Sequence, residues 1–230
     1  MMIGTSFVSL GLPPKRPQEP FHAYDDDIVE KIEKAICAAW QLLQKSSAID
    51  LATAAETEIT AALQDSIIDV LNCGCVEGFV PEIFQQPTRD ASVRDYSGKY
   101  LEKKPDLAFF VMSAKPLSAN KGLFFECKPI GNVATYLGVN GLERFCDGRY
   151  AWAMPHGGMI GYVQRKSAPL SAQAAIEEHV TAGTLVVQSH YGDGKAAYHP
   201  IWVSVHERKF TLQNGSQPGS ITIRHIWLKA

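Results

Sequence analysis

The feature that most constrains this chain is a pair of apolar runs, Asp106–Met112 and Leu123–Lys128, separated by the Pro-, Asn- and Gly-containing segment Ser113–Gly122. Runs of this length, rich in Phe, Leu and Val and joined by turn residues, predict two strands of an antiparallel hairpin. Side chains alternate faces along a strand. Leu123, Phe125 and Cys127 therefore share one face, and Phe124, Glu126 and Lys128 share the other. A carboxylate and an ammonium sit side by side near the end of an otherwise apolar strand. Such groups are costly to bury unless they pair or bind something. Asp106 opens the preceding strand, and the hairpin brings it next to Glu126.

A helix upstream supplies a third carboxylate. Thr53–Leu71 has helical periodicity, with Ile59, Leu63, Ile67 and Val70 on its apolar face, and ends at Asn72 and Gly74. At 100° per residue, Glu56 lies about 60° from the centre of that face and Glu58 about 100° away on the other side. Glu56 is thus the carboxylate turned toward the sheet. Clustered acids repel and drive one of their number to take up a proton. A divalent cation relieves that repulsion, and Mg²⁺ favours hard oxygen ligands. A neighbouring lysine can orient water or steady charge on a phosphorus centre.

These residues resemble the PD-(D/E)XK, restriction-endonuclease-like nuclease superfamily. Pro105-Asp106 matches the "PD", Glu126-Cys127-Lys128 matches the "(D/E)XK", and Ala55-Glu56-Thr57-Glu58-Ile59 is similar to the first core helix. The resemblance covers roughly residues 53–165. It implies an α/β fold with a restriction-endonuclease-like core, a central mixed β-sheet flanked by α-helices. It implies hydrolysis of phosphodiester bonds in nucleic acid, DNA ahead of RNA, with Mg²⁺ or Mn²⁺ as cofactor. Asp106, Glu126 and the carbonyl of Cys127 are the implied metal ligands, and Glu56, Asp106, Glu126 and Lys128 the implied catalytic set. A homodimer is compatible with that activity, because cutting both strands of a duplex takes two sites. The rival expectations are a non-cleaving binding or scaffold protein on the same fold, and an enzyme with a deep apolar pocket for a small molecule.

The rest of the chain sets the frame. Residues 1–24, with Pro13, Pro14, Pro17 and Pro20, predict an extended arm, and 25–230 a single α/β domain. Helical periodicity begins at Asp25. Phe79–Phe84 is a candidate strand, 87–104 a basic surface loop, 134–153 a helical stretch weakened by Gly138, Gly141 and Gly148, and Ala172–Val180 a helix. Met159–Val163, set off by Gly157 and Gly158, and then Leu185–Ser189, Ile201–Val205 and Ile221–Leu228 are the later strands. Lys103, Lys104, Arg144 and Arg149 are candidate phosphate contacts. Net charge is −2, which does not suit a protein that merely coats nucleic acid. Any such contact must come from a local patch. The five cysteines show no C-x-x-C spacing and are expected as reduced thiols, which points to a cytoplasmic protein. No segment is long and apolar enough to predict a membrane span. His190 and His225 stand in apolar strands, and Gln164 ends the strand expected beside that of Glu126.

Overall fold

The computed structural model describes residues 19–112, 118–130, 133–164, 186–188 and 201–230. Six strands form one mixed sheet in the order β1-β2-β3-β6-β5-β4. They are β1 Leu107–Phe109, β2 Leu123–Pro129, β3 His156–Val163, β4 Val186–Gln188, β5 Ile201–His206 and β6 Ile221–Lys229. β1 pairs antiparallel with β2, β2 and β3 run parallel, as do β3 and β6, and the remaining pairs are antiparallel. Helices α1 Asp26–Ser46 and α2 Glu56–Cys73 cover one face, and the short helices α3 Val133–Leu137 and α4 Glu143–Cys146 lie toward the other.

The two cores follow from strand alternation. Leu107, Phe109, Leu123, Phe125, Cys127, Ile160, Tyr162, Ile226 and Leu228 join α1 and α2 in one cluster. Ala108, Phe124, Met159, Ile221, Ile223 and Trp227 join Tyr136, Phe145 and Tyr150 in the other. α1 is fastened to β6 at two levels. Glu33 and Arg224 form a buried bidentate ion pair, and the Trp40 indole N–H donates to the Lys229 carbonyl at 2.7 Å. Trp40 also stacks on Tyr162 of β3, with ring centroids 5.8 Å apart. α2 is tied to β3 by a buried contact of 2.9 Å between the Thr60 and Tyr162 hydroxyls.

Several expectations need correction. Phe79–Phe84 is a turn segment, and only Phe84 touches a strand-like partner, Val111, through an isolated bridge. Its aromatic side chains are core plugs: Phe79 and Phe84 are buried and pack 4.7 Å apart, so their apolarity reflects packing and no ladder. β1 is three residues long, shorter than Asp106–Met112. The stretch 134–153 is two short helices separated by turns. Gly148 and Ala151 take positive φ there, 79° and 48°, which a helix cannot continue through. Gly157 and Gly158 lie inside β3, because the rings of Phe145 and Phe125 cover the space a Cβ would take. Cys73 and Cys75 are joined by a disulfide across Gly74, whose left-handed φ of 61° ends α2 and brings the two Cα atoms to 5.3 Å. Cys37, Cys127 and Cys146 are free and buried. Cysteine usage therefore gives no argument for a reducing compartment. The expected helix 172–180, His190 and most of the N-terminal arm lie outside the described residues. No helix among the described residues is long and apolar enough to cross a membrane.

Candidate active site

The site is assembled at the C-terminal end of β2 from three separate stretches of chain. The β1–β2 register pairs Leu107 with Phe125, so one step further along the ladder sets Asp106 opposite Glu126. Asp106 also accepts the backbone N–H of Cys127 at 2.7 Å, which locks its carboxylate against β2. Glu56 is the first residue of α2, where the helix dipole favours a negative charge. Two contacts hold that end of the helix in place. Glu58 accepts the Ala55 N–H at 3.0 Å, half of a capping box. Gln164, just past β3, donates to the carbonyls of Leu51 and Ala54 at 3.3 and 3.0 Å. Glu56 and Glu58 thus divide as helical geometry expects, one toward the sheet and one capping the helix.

Lys128 is the hub. Its Nζ stands 2.6 Å from Glu56 Oε1, 2.9 Å from Glu126 Oε1 and 3.6 Å from Asp106 Oδ2. It also donates to the Cys127 carbonyl at 2.8 Å. All four residues of the expected catalytic set are therefore brought together. Burial alone would pull the lysine's pKa down, but Glu126, Asp106 and the hydrogen bonds to Glu56 and Glu126 outweigh it and raise it. Glu126 is almost wholly enclosed, at 1% exposure. Burial first, and then the charge of Asp106, push its pKa up to about 7 against the opposing pull of Lys128 and Arg144.

Arg144 belongs to this cluster, and its expected role as a surface phosphate contact is corrected. Its guanidinium is buried and its Nη1 lies 2.7 Å from Glu126 Oε1. The same nitrogen donates to the Tyr150 hydroxyl at 2.7 Å. That hydroxyl in turn donates to the carbonyls of Lys104 and Lys103 at 2.8 and 3.1 Å. The chain just before Pro105-Asp106 is thereby linked to Glu126. A strand-borne carboxylate at the apolar centre of a sheet needs a cation beyond its own neighbour. That need was the available signal for Arg144, but 18 residues separate the partners and no local pattern connects them. Arg149 remains partly exposed and pairs with Asp147 at 2.6 Å. Lys103 is exposed, 3.4 Å from Asn140 Oδ1, and Lys104 is half-buried.

Two oxygen atoms decide what the cluster can hold. Glu126 Oε1 receives both cations, whereas Glu126 Oε2, like Arg144 Nε, is buried with no hydrogen-bond partner among the described residues. An unsatisfied buried carboxylate oxygen is expensive and calls for a partner such as a water or an ion. Among the described residues, no group of three or more His, Cys, Asp or Glu side chains is gathered closely enough to hold a metal ion by itself. The Lys128 ammonium takes the space between the acids.

His225 is a core histidine. Its Nδ1 meets the Tyr136 hydroxyl at 3.0 Å and its Nε2 meets Ser204 Oγ at 2.7 Å, and burial lowers its pKa to about 3. A neutral, fully enclosed imidazole of this kind links β6, β5 and α3. No protein-family model matches the chain, and no curated protein or solved structure matches it.

Proposed function

We propose that this chain is a metal-dependent nuclease of PD-(D/E)XK type that hydrolyses phosphodiester bonds in nucleic acid, DNA ahead of RNA. The observation that carries the reading is the convergence of Glu56, Asp106, Glu126 and Lys128 in one hydrogen-bonded cluster, although they come from a helix start, a hairpin corner and a strand end. The mixed sheet with helices on both faces, and the antiparallel β1–β2 pair leading into the parallel β2–β3 pair, support a restriction-endonuclease-like core.

The donor set suits a hard divalent cation: Asp106, Glu126 through its unpartnered oxygen, and the Cys127 carbonyl would hold Mg²⁺ or Mn²⁺. When bound, that ion supplies Lewis-acid stabilisation of a phosphate and an acidified water. The chain's own groups do the rest. Lys128, held by three carboxylates, is an ammonium that donates hydrogen bonds, so it orients water and offsets charge developing on phosphorus. Glu56 aims that ammonium. Lys103, which is exposed, and Lys104 and Arg149, which are partly exposed, are the side chains that would meet a nucleic-acid backbone.

A second reading is favoured by one specific feature. Lys128 and Arg144 largely neutralise the acids without help, which suits a binding or scaffold protein on a nuclease-like fold that does not cut. One experiment separates the two. Plasmid and single-stranded DNA are incubated with wild type, Glu126→Ala and Lys128→Ala, with and without Mg²⁺ or Mn²⁺. Metal-dependent cleavage by wild type, lost in both variants, is the expected result. An inactive wild type whose calorimetric titration shows no metal uptake would refute the nuclease and leave the scaffold.

A further inference from the structure

The surface just upstream of Asp106 carries an aromatic side chain that the carboxylate cluster does not use. Residues 93–101 fold back on themselves as a short hairpin. The Leu101 N–H donates to the Val93 carbonyl at 3.2 Å, and Arg94 and Tyr100 form an antiparallel bridge. Asp95 fixes the turn, its Oδ1 accepting the backbone N–H groups of Ser97 and Lys99 at 2.9 and 3.0 Å. The Trp152 indole N–H donates to the Arg94 carbonyl at 2.7 Å, which fastens the hairpin to the body of the domain. Cross-strand partners project from the same side of a hairpin, and here they stack. The Arg94 guanidinium lies 4.1 Å from the centroid of the Tyr100 ring and is held there by donating to the Gly98 carbonyl at 3.0 Å. Tyr100 is nevertheless 66% exposed, the only exposed Phe, Tyr or Trp among the described residues. With one ring face covered by Arg94, that exposure leaves the other face open to solvent.

We propose that Tyr100, braced by Arg94, is a stacking platform for an unpaired base of a nucleic-acid strand led toward the carboxylate cluster. This rests on the nucleic-acid reading above and names its substrate class as single-stranded. The surroundings are cationic. Residues 93–104 hold Arg94, Lys99, Lys103 and Lys104 against Asp95 and Glu102, and Asp95 spends its carboxylate on the turn. The carbonyls of Lys103 and Lys104 accept the Tyr150 hydroxyl beside Arg144, so the hairpin runs directly into the cluster. In a duplex the faces of each base are taken by its stacked neighbours, and only an unpaired base has a face to give to a tyrosine. Every base has such a face, so the platform selects for strandedness and tolerates any sequence. The lysines meet the phosphates of the same strand and position it.

The test measures binding alone. Full-length protein in EDTA, which prevents metal-dependent cleavage, is titrated by fluorescence anisotropy into three labelled probes of equal length. They are an oligothymidylate, a duplex, and a strand of abasic sites that keeps the phosphates and lacks the bases. Wild type is expected to bind the oligothymidylate most tightly. Tyr100→Ala should weaken that binding about tenfold and leave the other two probes within about twofold, and Tyr100→Trp should restore it. Lys103→Ala should weaken all three alike, because it acts on the phosphates. Tyr100 lies at the surface, so its variants keep the fold, which circular dichroism checks. A Tyr100→Ala protein that binds the oligothymidylate as wild type does, or that weakens on all three probes equally, would overturn the platform, as would a wild type that binds none of them. The cleavage assay reads the nuclease separately. A protein that cuts but shows no Tyr100 effect loses the platform alone, and one that shows the effect without cutting keeps the platform and loses the nuclease.

Discussion

Replacing Lys128 with Met keeps the stem of the side chain and deletes the ammonium that three carboxylates share. The cost depends on how well solvent can replace it at each partner. Glu56 and Asp106 keep 29% and 27% of their side-chain surface, so water screens them and each lost contact is worth about 0–1 kcal/mol. Glu126, at 1%, has no such recourse. Breaking a buried pair on one side typically costs about 3–5 kcal/mol. Arg144 still stands on Glu126, so the lower end of that range applies, and a total near 3 kcal/mol is expected. The assay is urea denaturation of metal-free protein at about pH 8, where Glu126 is ionised. Two further outcomes follow from the same picture. Lowering the pH lets Glu126 protonate, so the deficit relative to wild type should shrink. Adding Mg²⁺ should stabilise Lys128→Met by more than it stabilises wild type, because the variant site carries an extra unit of negative charge. A deficit below about 1 kcal/mol at pH 8, the value for an exposed pair, would refute the idea that Lys128 is the internal counter-ion of a buried site.

Glu126 makes wild-type stability pH-dependent on its own account: its folded pKa of about 7 lies above the usual 4.5, so the folded state holds its proton longer than the unfolded chain. That contribution is fully present below about 4.5 and is lost as pH rises through 7, to a total of about 3 kcal/mol, and a comparison of urea midpoints with Glu126→Gln, which lacks this slope, checks it. Arg224→Leu should destabilise by about 3–5 kcal/mol because it strands the Glu33 charge under α1, whereas Glu33→Leu combined with Arg224→Leu should fall within about 2 kcal/mol of wild type; a double variant as unstable as the single one would mean that the pair is not the source. Glu58→Ala should cost about 1 kcal/mol through the lost cap and leave Mn²⁺ affinity unchanged, while Glu56→Ala should alter Mn²⁺ affinity; equal effects of the two on calorimetric affinity would contradict their division of labour.

What was legible in the sequence was local. Alternation within Leu123–Lys128 assigned faces correctly, with Leu123, Phe125 and Cys127 in one core and Phe124 in the other. Helical phase separated Glu56 from Glu58, and the hairpin length set Asp106 across from Glu126. The failures share a different origin. Phe79 and Phe84 looked strand-like because apolarity reports burial, which a packed turn satisfies as well as a ladder does. The 134–153 stretch looked helical because its periodic apolar residues do face a core, but Gly148 and Ala151 bend the backbone through conformations that no helix contains. The Cys73–Cys75 bond depends on the left-handed turn at Gly74, which spacing alone does not reveal.

Arg144 shows where sequence reading ends and why. In sequence it stands among Phe145, Arg149, Tyr150 and Trp152, and basic residues interleaved with aromatics suggest a surface for phosphates. Charge composition cannot distinguish a cation that seeks an anionic ligand from one that serves an internal acid. The distinction is made by enclosure. Glu126 lies across from Asp106 and two residues from Lys128 on a strand between two cores, so its charge exceeds what its own strand can neutralise. The fold answers by turning the chain over residues 138–142, so that α4 delivers a guanidinium from the layer packed over that face. The acids of the site are therefore readable from the hairpin, because a hairpin is a local object. Their counter-charges are set by the layer that packs over it, which no local pattern records.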